Sequence, residues 1–163
     1  NAVVTLGSGS ASLTAVGTGT STATNTNLSI SGFSLNVMNV SANTSGGVHA
    51  FVDDGASVTA GSVTLSSTGT QTPTVENSSV AVGLLTVGLT TISSSDKTTV
   101  SSYIGSQAGG LNPTLVETTG AGGLRVTATE ISTPSAAADF VNVGILAAGD
   151  KASTTASGTP TTA

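Results

Sequence analysis

The chain has no cysteine and no tryptophan, and only four aromatic side chains: Phe33, Phe51, Tyr103 and Phe140. Without thiols it forms neither a disulfide-stapled domain nor a cysteine zinc site. Cations are equally scarce. Lys97, Arg125 and Lys151 are the three in 163 residues, and a nucleic-acid footprint cannot be built from so few, so nucleic acid is excluded as a partner. Charged residues make up 7% of the chain, which excludes an acidic solvating tail, while 37% hydrophobic residues can bury a core. Long apolar runs are missing as well. The stretch from Val80 to Leu89 is broken by Gly83 and Thr86, well short of the roughly 18 residues of a membrane helix, so no membrane insertion is expected. Asn1 to Val16 carries no basic residue, hence no signal-peptide n-region.

What is abundant is small and polar: 55 Ser and Thr, with 21 Gly. Good helix formers are scarce in every window, whereas Val, Ile and Thr favour strands. Short alternating runs recur, such as Val3 to Leu6, Leu28 to Ile30, Val48 to Val52, Val63 to Leu65 and Leu124 to Thr127, separated by Gly, Asn, Asp and Ser. That is strand and turn chemistry, and the fold class expected is all-β.

Superposing the apolar positions reveals an internal repeat. Val80, Val82, Leu84, Leu85, Val87 and Leu89 alternate, slip phase at the Leu84-Leu85 pair and alternate again. The same pattern stands 52 residues earlier at Leu28, Ile30, Phe33, Leu35 and Val37, and 61 residues later at Val141, Val143, Ile145 and Leu146. A doubled apolar position between two alternating stretches suits a strand that turns a corner with its core face inward. "VHAFVDDG" from Val48 matches "VSSYIGSQ" from Val100 at the same offset of 52. The longer second offset places a nine-residue insertion within 105–123, read as a Gly-rich loop.

Three imperfect units of about 50 to 60 residues, made of short strands only, predict a right-handed parallel β-helix (β-solenoid), with a β-sandwich as the alternative. The units run roughly 1–48, 49–100 and 101–163 in a single domain. At roughly 20 to 25 residues per coil, each unit would supply two coils. Ala2-Val3-Val4 superposes on Ala50-Phe51-Val52, and the phase returns near residue 161 without a polar cap at either end. The expectation is end-to-end β-stacking through Val3, Val4, Leu6, Val143, Ile145 and Leu146. The partner is then the chain itself, head to tail, or neighbouring repeats of a longer chain.

The unit "GGVHAFVDDGASVTAGSVTLSS" from Gly46 to Ser67, echoed by "TTVSSYIGSQAGG" from Thr98 and "GGLRVTATE" from Gly122, resembles the repeats of the filamentous-haemagglutinin-like giant adhesins and related β-strand-repeat exoproteins of bacteria. The resemblance covers most of the chain. It implies an extracellular or cell-surface rod serving adhesion, sheath or matrix, possible contact with surface glycans, and no catalytic residues in this region.

The candidate sites are few. His49 alternates in phase opposite to Val48, Ala50 and Val52 and is read as an outward surface residue, since one His without Cys makes no zinc site. Asp53-Asp54-Gly55 is the densest acidic cluster, read as a turn in preference to a calcium site. No triad can be assembled around His49 and no G-x-S-x-G elbow occurs, so an enzyme is not expected and no cofactor or metal is assigned. Outward Thr ladders raise an ice- or glycan-binding face. The T-x-T spacing is read as not recurring on one strand in every copy, which leaves a solvated β-surface. The alternative to a rod is a carbohydrate-binding or polysaccharide-degrading module with a groove at Asp53, Asp54 and the insertion. The segment from Gly149 is read as a linker, an O-glycosylated segment or polar corners.

Overall fold

A computed structural model describes residues 2–106, 110, 112–147, 151–158 and 161–162. The described residues are all-β. The strands are β1 (Val3–Thr5), β2 (Ser10–Ile30), β3 (Phe33–Val52), β4 (Ser57–Ile104), β5 (Leu115–Ser132), β6 (Ser135–Ala147), β7 (Lys151–Gly158) and β8 (Thr161–Thr162). They are far longer than the short runs expected from the sequence. Gly17, Gly19, Gly69 and Gly88, which look like breaks, lie inside extended strands. Left-handed backbone falls at turns, as at Gly55 (φ 72°) after Val52 and Gly105 (φ 87°) after Ile104, and within β5 at Gly123 (φ 60°), beside the irregular pairing with β4.

Every other strand pairs in parallel with β4. β1, β2 and β3 lie along one edge of β4, and β5 to β8 lie along the other. The register is regular. Ser10 pairs with Ser62 and Ile30 with Val82, then Phe33 with Leu85 and Val52 with Ile104, a constant separation of 52 residues. On the other edge Ser62 pairs with Gly123 and Thr86 with Ala147, a separation of 61. A pass along this path therefore consumes a whole repeat, where two coils per repeat had been expected.

Each pass folds back on itself. Ser29 Oγ meets Ser34 Oγ at 2.7 Å, Asn27 Nδ2 donates to Asn36 Oδ1 at 2.7 Å and Asn25 Nδ2 donates to Met38 Sδ at 2.7 Å, so β2 and β3 face each other side chain to side chain. In β4 the fold-back falls at Gly83-Leu84, with the amides of Leu84 and Leu85 both 3.2 Å from Gly32 O. The doubled Leu84-Leu85 pair marks this tip: interior positions are odd from Gly61 to Ala81 and even from Thr86 to Val100. The outgoing arm of β4, Ser62 to Val82, thus lies across a narrow gap from the return arm, Leu85 to Ile104.

The core is reversed relative to the sequence reading. Val80, Val82, Leu85 and Val87 were assigned to the inner face, yet they point outward near the tip, as do Leu28 (65% exposed), Ile30 (72%) and Leu84 (61%). The reason is the width of the gap. Where a Ser meets a Ser at 2.7 Å there is no room for two aliphatic side chains, so the gap takes Ser, Asn, Thr and Gly, and the larger residues of the same strands face out. Beyond single buried residues such as Ala50, Ala81 and Val100, apolar burial among the described residues gathers in two clusters. One, at the broad end, centres on Val52, Val58, Ala60, Val63 and Leu65; the other joins Val75 and Ile92 across the gap.

The insertion is also corrected. The register separation rises to 58 at Ser57↔Leu115 and to 61 only after a bulge between Ala60 and Ser62. The extra residues thus enter at two places, and Leu115 to Thr118 between them is strand paired with Ser57 to Ala60. The segment from Gly149, where it is described, is strand on the outer side of β4.

Candidate functional surfaces

The residues expected to stack end to end occupy two separate regions. Val3 and Val4 pair with Ser57 and Val58 at the broad end, and Val3 is 73% exposed. Val143 and Ile145 lie at the tip, where Val143 pairs with Val82, itself the partner of Ile30. The column that contains Val3 continues to Leu115, so the two sets do not meet in register. Leu146 pairs through its backbone with Leu85, and its side chain lies outside the described residues. Beside Val4, the open edge exposes an apolar cleft lined by Ala11, Leu13, Val52, Ala56 and Val58.

His49 is outward and exposed, with Nδ1 2.6 Å from Ser101 Oγ of its register partner. Asp53 and Asp54 form a turn against the insertion. Asp54 Oδ2 accepts from the Asn112 amide at 3.3 Å, and Thr114 Oγ1 donates to Asp53 O at 3.1 Å. Among the described residues no group of three His, Cys, Asp or Glu is placed to hold a metal.

One carboxylate was missed. Asp96 points into the gap, 1% exposed, and accepts from Thr44 Oγ1 at 3.0 Å and from the Thr98 amide at 2.9 Å. Burial raises its pKa, but hydrogen bonds from Ser132, from the hydroxyl and amide of Thr98 and from Thr44 outweigh this and hold it below the ordinary carboxylate value. The signal in the sequence was its phase, shared with Ile92, Ser94, Thr98 and Val100.

The outgoing arms present an outer face that corrects the reading of the threonines. Outward positions on β2 include Thr14, Thr18, Thr20, Thr22, Thr24 and Thr26. Their partners on β4 include Ser66, Thr70, Thr72 and Thr74, and the next strands add Thr127, Thr129 and Thr133. T-x-T spacing therefore recurs in all three passes, and the columns are held by register, with Thr72 Oγ1 3.3 Å from Thr133 Oγ1. Toward the tip the same face becomes aliphatic at Leu28/Val80/Val141 and Ile30/Val82/Val143. A shallow groove there is lined by Ile30, Gly32, Val82, Leu84, Val143 and Ile145.

Comparison of the chain with protein-family models, with curated proteins and with solved structures returns no match.

Proposed function

We propose that the chain is a structural segment, a parallel β-solenoid of three coils that builds an extracellular rod or filament for adhesion, sheath or matrix. The observation that carries this reading is the register: seven strands pair in parallel with β4 at separations that repeat over tens of residues. A path that returns to the same place once per repeat is how a solenoid is built. Parallel crossovers of this kind are right-handed in nearly all proteins, which favours a right-handed coil.

The outer edges of β2 and β3 on one side, and of β5 and β6 on the other, carry backbone groups free to continue the ladder. The apolar cleft at Val4, Leu13 and Val52 gives such continuation a hydrophobic reward. A further coil on this edge, from another copy or from neighbouring repeats, extends the rod. Resemblance to the repeats of bacterial giant adhesins supports the surface role.

The test is electron microscopy of the purified chain beside Val4→Lys. Uniform fibres from the parent and short particles from the variant are expected. Monomers from both, or irregular clumps from both, overturn self-assembly through this edge.

A further inference from the structure

We propose that the outer threonine face of the outgoing arms binds ice. The inference needs only the parallel register of β2, β4 and the strands beyond, and does not depend on the rod reading.

The face can be read column by column. Five consecutive columns run from Thr14/Ser66/Thr127 to Thr22/Thr74/Ser135. Of their fifteen positions, eleven are Thr, two are Ser, and the others are Val16 and Ile131. None is charged. Arg125 stands in the column before this field and Glu76 in the column after it. The return arms supply an internal comparison. On β2 and β4 alone eight of the ten outward positions in these columns are Thr, whereas at the ten outward positions 41 to 49 on β3 and 93 to 101 on β4, Thr99 is the one threonine, and Lys97 and His49 interrupt the surface; by register, the next return strands add Thr155 and Thr161. Ser and Thr are abundant throughout the chain, so composition alone does not place threonine on one face and keep charge off it.

Across the strands the spacing approaches that of a lattice of water. In a parallel sheet, outward side chains recur about every 6.6 Å along a strand and about every 4.8 Å between strands. Tetrahedral water joined by hydrogen bonds of about 2.75 Å repeats at about 4.5 Å between second neighbours and about 7.3 Å along the hexagonal axis. The inter-strand repeat lies within about 0.3 Å of the first, while the T-x-T repeat falls about 0.7 Å short of the second, so the fit is close across the strands and looser along them. Threonine suits the task because its β-branched side chain is stiff at χ1, so hydroxyl and methyl groups hold a fixed pattern. The hydroxyls fix waters at lattice-like positions, and the methyls keep competing hydration off the face. A lysine would do the opposite, since its ammonium holds a strong, mobile hydration shell. That preference selects a neutral crystalline surface as the ligand.

The experiment freezes a slowly growing ice hemisphere from a solution of the fluorescently labelled chain, and measures ice-recrystallisation inhibition in parallel. Thr70→Lys places a charge at the centre of the field. Ser93→Lys places the same charge on the opposite face. Circular dichroism and the denaturation midpoint check that each variant is folded. The expected result is incorporation of the parent and of Ser93→Lys into ice, with loss of order tenfold for Thr70→Lys. Exclusion of the folded parent from ice, or equal loss in both variants, overturns the proposal. So does binding of the parent to microcrystalline cellulose or chitin without incorporation into ice, with loss on Thr70→Lys. That outcome assigns the face to a crystalline polysaccharide.

Discussion

Thr44 donates its hydroxyl to the carboxylate of Asp96, its register partner on the adjoining strand, across 3.0 Å inside the body. With the Thr98 amide at 2.9 Å from the same oxygen, Asp96 Oδ1 is held by two neutral donors. Removing the carboxylate leaves buried donors without an acceptor. Asp96→Ala is expected to lower stability by about 1.5 to 3 kcal/mol, read by chemical denaturation.

The same group sets a pH dependence. Because the folded pKa of Asp96 is held below its ordinary value, its contribution is fully present above the unfolded value of about 3.9 and is lost as pH falls through the folded pKa. The parent's advantage over Asp96→Asn should be constant near neutral pH and shrink in strongly acidic solution. An advantage that grows on acidification would contradict the assigned direction.

The reversed packing near the tip gives a paired test. Leu65 is fully buried and Leu28 is 65% exposed. Leu65→Ala is expected to cost about 2 to 5 kcal/mol, and Leu28→Ala to stay within about 0.5 kcal/mol. The sequence reading that placed Leu28 on the core face requires comparable losses at both.

A narrow gap also makes glycine obligatory at one column. A Cβ on Gly69 would sit 2.6 Å from Val100 Cγ2 on the return arm. Gly69→Ala is expected to cost about 1 to 3 kcal/mol through overpacking. Gly69→Ala combined with Val100→Ala should recover part of it, measured as a double-mutant cycle.

The aliphatic tip should be visible to an apolar dye. Ile30, Leu84 and Ile145 are 72%, 61% and 80% exposed and lie around one groove. The folded chain is expected to enhance the fluorescence of an anilinonaphthalene dye, and Ile30→Ser with Leu84→Ser to abolish most of the enhancement.

Much of the fold was legible in the sequence. The offset of 52 between "VHAFV" and "VSSYI" is the register of β3 on β4 residue for residue, and the phase slip at Leu84-Leu85 is the place where each pass turns back. Which face is inner was not legible. Apolar residues are commonly inside, but the converse rule fails where the space between two facing arms is too thin for them. Ser29 with Ser34 and Asn27 with Asn36 fill that space, and nothing in a single strand's alternation tells such a partner from a solvated surface. Asp96 was obscured for the same reason, because its phase could be read only after the inner face was known. The threonine columns were present in "TGTSTATNT" and "STGTQTPT" but were weighed one strand at a time, whereas the face exists only once β2 and β4 are placed side by side.

All ladders end on β4, and this has a kinetic consequence. Among the described residues, β1, β2 and β3 form backbone ladders with no strand but β4. A chain emerging amino-terminus first has no ladder to close until residues beyond Ser57 appear, and its first closure must span about 50 residues of loop. Such non-local pairing folds slowly. Once β2 and β4 have met, the sheet offers the arriving β5 and β6 a ready template, and each of these strands extends along β4 from its first paired residues. Ladder formation thus waits until the middle of the chain has been synthesised.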